Sequence, residues 1–189
     1  MSISSRNTQL AQIVEEACRA ETNIFGYGIW SHHILSVVEY GKQLALLLDA
    51  DSNIVEIAAL LHDYASVKDQ ALYKDHHLHG PLEAEKILNE LGYPQTTITA
   101  VKECIASHRA SIEIEQRTRE AVCLASADAM AHIVEVPSLL YLAFVQHKMP
   151  INEGSSWVRE KLKRSWNKLC PEARELMYEK YQGALKVLG

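Results

Sequence analysis

The sequence predicts an all-α fold, a compact bundle of helices. Three observations carry this expectation. Apolar residues recur at steps of three and four, the period of a helix with one buried face. Segments that alternate apolar and polar residues, as half-buried strands do, are nearly absent. Glycine and proline are scarce, eight and five in 189 residues, so the turns must be short.

On this basis helices fall near 7–20, 31–48, 52–64, 80–91, 95–109, 116–135, 137–148, 155–169 and 171–187. Ser31, Ser52, Thr96 or Thr97, and Ser155 are side-chain caps for four of the starts. Pro81, Pro137 and Pro171 sit where a first helical turn tolerates a missing N–H. Gly92-Tyr93-Pro94 is a stop. No repeat, low-complexity stretch or linker divides the chain, so residues 1–189 read as one domain. Its motif-bearing core is about 25–135, with the helices of 137–187 packed on it.

Composition narrows the function classes. Apolar content of 48 % is that of a globular protein. A net charge of −5 argues against nucleic acid or an acidic membrane as partner. The longest apolar runs, such as 44–48, are too short to span a bilayer, and no secretory signal is visible. Cys18, Cys104, Cys123 and Cys170 are far apart and form no C-x-x-C pair, as expected of reduced thiols in a cytoplasmic protein. Histidine is the anomaly: nine are present, at 32, 33, 62, 76, 77, 79, 108, 132 and 147. Such a cluster points to metal or proton chemistry.

The pair His62-Asp63 is the strongest single signal, because it ends the apolar run 54–61. Burying a neutral polar group unpaired costs roughly 2–7 kcal/mol, and a charge far more. A divalent cation offsets that cost, since imidazole and carboxylate are both metal ligands. Other helices supply more of the same. His33, Val37, Tyr40, Leu44 and Leu48 share one helical face. So do Val55, Ala59 and His62; Ile98, Val101, Ile105 and His108; and Ala121, Leu124, Asp128 and Ala131. Each stripe carries one ionisable residue among apolar or small neighbours. Helices that bury these stripes together bring the polar residues to one point, as in helix-bundle metal sites.

The ordered set His33 … His62-Asp63 … Asp128 resembles the HD superfamily of metal-dependent phosphohydrolases. The local contexts agree: Trp30-Ser31-His32-His33 at the first ligand, Leu60-Leu61-His62-Asp63 at the doublet, and Ser126-Ala127-Asp128-Ala129 at the last. The resemblance covers about residues 25–135. Val37, Leu44 and Ala45 fit the family spacing from His33, which leaves His32 to flank the pocket or cap the helix.

For the two-metal members, the resemblance implies the order His33, His62-Asp63, His79, His108, Asp128. Asp63 then bridges two ions, His33, His62 and Asp128 hold the first, and His79 and His108 the second. The family often carries Gly-Ala where this chain has Glu83-Ala84, a departure that bears on helix packing. His76 and His77 are expected at the solvent or the pocket rim. Lys68 and Arg109 are candidate phosphate contacts, and with Asp63 make up the expected catalytic set. Tyr27 and Trp30 are candidates for an apolar wall.

The implied activity is hydrolysis of a phosphate ester or anhydride in a nucleotide or similar small metabolite, with hydroxide supplied by a metal-acidified water. Imidazole-rich ligation favours Fe or Mn, with Ni, Co, Zn or Mg as alternatives, in one or two ions. A homodimer is compatible with Trp157 or Trp166 at a surface. Deoxynucleotidases of the superfamily have Glu three residues after the doublet, where this chain has Ser66. A rival reading is a diiron oxygenase that cleaves C–C or C–P bonds. Those acting on hydroxyphosphonates carry a Tyr and a Glu before the first ligand, and Phe25 to Trp30 offers only Tyr27. A third reading is a non-catalytic nucleotide-binding module.

Overall fold

The computed structural model describes residues 3–108 and 117–189. Helices account for nearly all of it, and no strand occurs among the described residues, as the periodicity predicts. The helices are α1 (Ile3–Arg19), α2 (Leu35–Leu47), α3 (Ser52–Leu61), α4 (Tyr64–Lys68), α5 (His76–Glu90), α6 (Gln95–Ser107), α7 (Arg119–Val134), α8 (Val136–Tyr141), α9 (Ile151–Lys168) and α10 (Pro171–Leu188). A π-turn, Trp30–Ile34, leads into α2, and a second, Leu142–Gln146, follows α8.

Helix α7 is the axis of the bundle. From Ala121 to Ile133 nearly every residue is buried, whichever way it points. A helix apolar all round belongs inside, and here α2, α3, α6, α9 and α10 surround it. Its alanines and Ser126 keep it thin. A Cβ added at Gly41 of α2 would lie 2.8 Å from Val55 of α3 and 3.7 Å from Ala127 of α7, so three helices meet closely at this glycine. Buried side chains from α1 through α10 form one hydrophobic cluster. Among the described residues no single helix is long and apolar enough to cross a membrane.

Two element boundaries differ from the sequence expectation in ways that matter for the site. Residues 52–64 are not one helix. Helix α3 stops at Leu61, Asp63 adopts φ −107° and ψ 4°, and α4 starts at Tyr64. The doublet therefore sits at a break between helices, where both side chains can turn into the same space. Helix α5 starts at His76, one turn before the expected residue 80, with Pro81 inside it. Pro81 lacks the N–H that would reach the carbonyl of His77, so the helix goes without that one ladder bond. Read as a start marker, Pro81 hides the turn that carries His76.

The caps differ as well. Asp51, not Ser52, caps α3, accepting from the N–H groups of Asn53 at 2.9 Å and Ile54 at 3.2 Å. Helix α9 starts at Ile151, so Ser155 lies within it. Thr118 caps α7 by accepting from Ala121 N–H at 3.1 Å.

Candidate metal centre

Two groups of potential ligands face each other across Asp63. His33, His62 and Asp128 form one, and Asp63, His76 and His108 the other; within each, the ligand atoms lie within 4.8 Å of one another. His33 Nε2 stands 3.1 Å from His62 Nε2 and 3.5 Å from Asp128 Oδ1. Asp63 connects the groups through its two oxygens. Its Oδ2 is 3.4 Å from both His33 Nε2 and His62 Nε2. Its Oδ1 is 3.6 Å from His76 Nε2 and 4.0 Å from His108 Nε2.

The helix ends orient these rings. His62 Nδ1 lies 2.7 Å from the carbonyl of Ala59, His108 Nδ1 2.6 Å from that of Ile105, and His76 Nδ1 2.8 Å from that of Tyr73. A carbonyl only accepts, so each Nδ1 carries the proton and donates it. Carbonyls in the last turn of a helix outrun the intrahelical donors, which is why α3 and α6 can take an imidazole there. With that proton on Nδ1, each ring turns its Nε2 to the centre, the arrangement in which imidazoles ligate metals.

The electrostatics of the site favour positive charge. Burial pushes the Asp63 carboxyl up, but the His62 and His33 imidazoles outweigh it and hold the group well below the usual carboxylate range. Asp128 behaves likewise, with the Lys168 ammonium as its largest counterweight to burial. Burial lowers His62, yet Asp63 and Asp128 raise it above the ordinary imidazole value overall. Burial, with the charges of His62 and Lys168, brings His108 down to about 3. Two carboxylates held in the ionised form thus face a set of imidazole nitrogens. Nitrogen and oxygen donors converging in this way fit divalent cations of the transition series.

The site lies in a cavity of about 710 Å3, lined by Asp63, His33, His76, His108 and Asp128 together with residues of the 25–29 loop, α8 and α9. His132, one turn after Asp128, is part of this wall. Its Nε2 is 3.7 Å from Asp128 Oδ1, its ring stacks on His33 at 5.0 Å, and Ser165 Oγ meets its Nδ1 at 3.2 Å. Burial and the Lys161 ammonium hold His132 well below the ordinary imidazole value. Lys168 donates to Asp128 Oδ2 at 2.6 Å.

Not every expected residue is brought in. His33 is buried among the ligands, whereas His32 is exposed at the cavity wall, its Nδ1 2.7 Å from Ser31 Oγ. His79 is half-buried and belongs to neither ligand group. His76, expected at the solvent or rim, is buried and faces Asp63 instead, a correction that follows from the early start of α5. His77 is buried too. The spacing of Gly80 could have shown this. The family glycine expected four residues after the ligand is missing after His79 but present after His76. A Cβ at Gly80 would meet Ile105 Cγ2 at 2.9 Å, so the glycine lets α5 approach α6.

Lys68 pairs with Glu83 at 2.7 Å on the surface and does not line the cavity. Arg109 lies outside the described residues. Tyr27 lines the cavity, while Trp30 is buried in the hydrophobic cluster. Sequence reasoning missed His132, Lys161 and Lys168. For His132 the signal was its place four residues after Asp128; the lysines lie on a helix read as cover for the core or as a dimer surface.

Comparisons with known proteins give the family and the fold. The HD domain family matches residues 30–133, more than half of the chain, and the chain belongs to that family. Its members are generally metal-dependent phosphohydrolases. The chain is similar in fold to the crystal structure of Bacillus subtilis YpgQ, with a TM-score of 0.73 at 19% identity, covering 100% of this chain and 94% of that one. It is similar also to the crystal structure of Bacillus subtilis YpgQ in complex with ADP, with a TM-score of 0.67 at 19% identity, covering 94% of this chain and 93% of that one. No curated protein sequence matches the chain.

Proposed function

We propose that this protein is a metal-dependent phosphohydrolase acting on a phosphate ester or anhydride of a nucleotide-like metabolite. One observation carries the reading: Asp63 turns one oxygen to each of two ligand groups at the wall of a cavity large enough for a small molecule. His33, His62, Asp63 and Asp128 would hold one divalent cation, and Asp63, His76 and His108 a second. The donor set of four imidazoles and two carboxylates favours Fe or Mn. Such ions supply positive charge against phosphoryl oxygens and acidify water.

The chain's own residues set the stage for that chemistry. Asp63 joins the two groups. His62, His76 and His108 keep their Nδ1 protons on carbonyls and turn their Nε2 atoms inward. Lys168 fixes Asp128 by one oxygen and leaves the other facing His33. The fold shared with a protein solved in complex with ADP supports a nucleotide-like ligand. We read residues 1–189 as one HD-type unit, with α8 and α9 closing the cavity and α10 packed on α7 and α9. The free cysteines and the negative net charge support a cytoplasmic enzyme of small molecules.

The test is a phosphate- and pyrophosphate-release screen over nucleotides, dinucleoside polyphosphates and sugar phosphates, with Mn or Fe under reducing conditions. Turnover that disappears in Asp63→Ala is the expected result. Silence across the screen with substrate-dependent oxygen uptake on a hydroxyphosphonate would transfer the assignment to an oxygenase. Silence in both, with nucleotide bound, would make it a binding module.

A further inference from the structure

Helix α9 lies beyond the matched HD domain, yet one of its faces forms a cavity wall. Trp157, Lys161, Arg164 and Ser165 all line the cavity, at helical steps that put them on one face. Lys168, one turn further, reaches Asp128. Two members of the stripe are already engaged, Ser165 with His132 and Lys168 with Asp128. Lys161 and Arg164 are not: among the described residues neither makes a hydrogen bond or an ion pair. Lys161 is half-buried all the same. Asp128 and Asp63 act on it only through space and do not offset its burial, so an anion that joins it in the cavity would supply a direct, charge-assisted hydrogen bond. Arg164 is exposed one turn away and adds a guanidinium suited to phosphate.

Other lining residues of the cavity differ in chemistry. Phe25, Tyr27, Tyr73, Tyr141 and Leu142 give it an aromatic and apolar wall. The ligand groups lie among these surfaces. A ligand with an apolar or aromatic part and a phosphate chain would place the reacting phosphate at Asp63. Its remaining phosphates would then lie against α9.

We propose that Lys161 and Arg164 form a subsite for the phosphates that are not at the ligand groups, and that this subsite selects ligands carrying more than one phosphate. The inference rests on the phosphohydrolase reading for the orientation of the ligand. The pair touches the phosphate chain, so its substitution acts on binding and on specificity rather than on the metal ligands.

The test is titration calorimetry of the full-length protein with inorganic orthophosphate and pyrophosphate, first metal-free and then with Mn. Wild-type protein is expected to bind pyrophosphate more tightly than orthophosphate in both states. Lys161→Met and Arg164→Gln should each weaken pyrophosphate binding about tenfold, the size of one charge-assisted hydrogen bond, with a smaller effect on orthophosphate. Lys161→Arg should restore much of the loss. Arg164 is exposed, so its variant tests the subsite even if Lys161→Met does not fold. Wild-type protein that fails to distinguish the two anions, or an Arg164→Gln variant that binds pyrophosphate like wild type, would overturn the proposal. The two readings fail separately. Phosphate release with KM unchanged in Arg164→Gln leaves the phosphohydrolase and removes the subsite. Lys161-dependent pyrophosphate binding without any turnover leaves the subsite and removes the enzyme.

Discussion

Lys168 donates to Oδ2 of Asp128 at 2.6 Å, and both side chains are almost fully buried. The cation comes from α9 and the carboxylate from α7, so the contact ties the cavity wall to the axis of the bundle. Removing one partner of a buried pair strands the other, at a cost of about 3–5 kcal/mol. Lys168→Met is therefore expected to destabilise the metal-free protein by about that much in denaturant melts. A bound cation would take over the neutralisation of Asp128, so the metal-loaded protein should lose less. Equal losses in both states would mean that the pair is independent of the metal centre.

His76 and His79 separate by metal content. Elemental analysis of His76→Ala should find about half of the wild-type metal, while His79→Ala should keep all of it. The opposite ranking would return the second site to His79. Asp63→Ala should lose both ions and remain folded.

Acid should destabilise the metal-free protein in a defined window. His108 falls from an ordinary 6.5 to about 3 in the fold, so between these values the unfolded chain holds a proton that the folded chain lacks. Its contribution is present above 6.5 and is lost as pH falls towards 3. His132 is lowered too and acts in the same direction. His62 is raised and opposes them, since its contribution is present at low pH and lost as pH rises through its folded value. Thermal melts should fall as pH drops below about 6.5, with a shallower slope in His108→Gln. A melting temperature flat from neutral to acid pH would contradict the placement of His108.

Gly80→Val should damage the joint between α5 and α6. Its Cβ would meet Ile105 Cγ2 at 2.9 Å and the His62 carbonyl at 3.6 Å. Overpacking of this kind costs about 1–3 kcal/mol, and here it also pushes on the residue before Asp63. Loss of metal affinity alongside stability is expected; Leu82→Val, at an exposed position of the same helix, should show neither.

The fold was legible because helical periodicity is a local signal, and α3, α6 and α7 announce their buried stripes in sequence. The cluster was legible where a candidate ligand sits on such a stripe, as His33, His62, His108 and Asp128 do. It was misread at α5, where a proline inside the helix looked like its beginning. His76 thereby fell outside the predicted helix, and His79 took its place. Lys68 shows the complementary error: nearness in sequence to the doublet says nothing of direction, and its side chain goes to Glu83 on the surface. Lys161 and Lys168 come from a helix about a hundred residues away from the doublet, a distance that periodicity cannot bridge.

The carbonyls that accept from His62, His76 and His108 each lie three residues upstream of the ring they hold. Ligand and holder therefore travel together on one short stretch of backbone. Aim is a property of the segment, and only separation is a property of the assembly. A sequence change elsewhere in the bundle can shift one segment against another and alter the spacing of the centre while these three imidazoles keep their tautomers. Such a construction lets the spacing of the centre be retuned by sliding intact segments, without rebuilding any one of them.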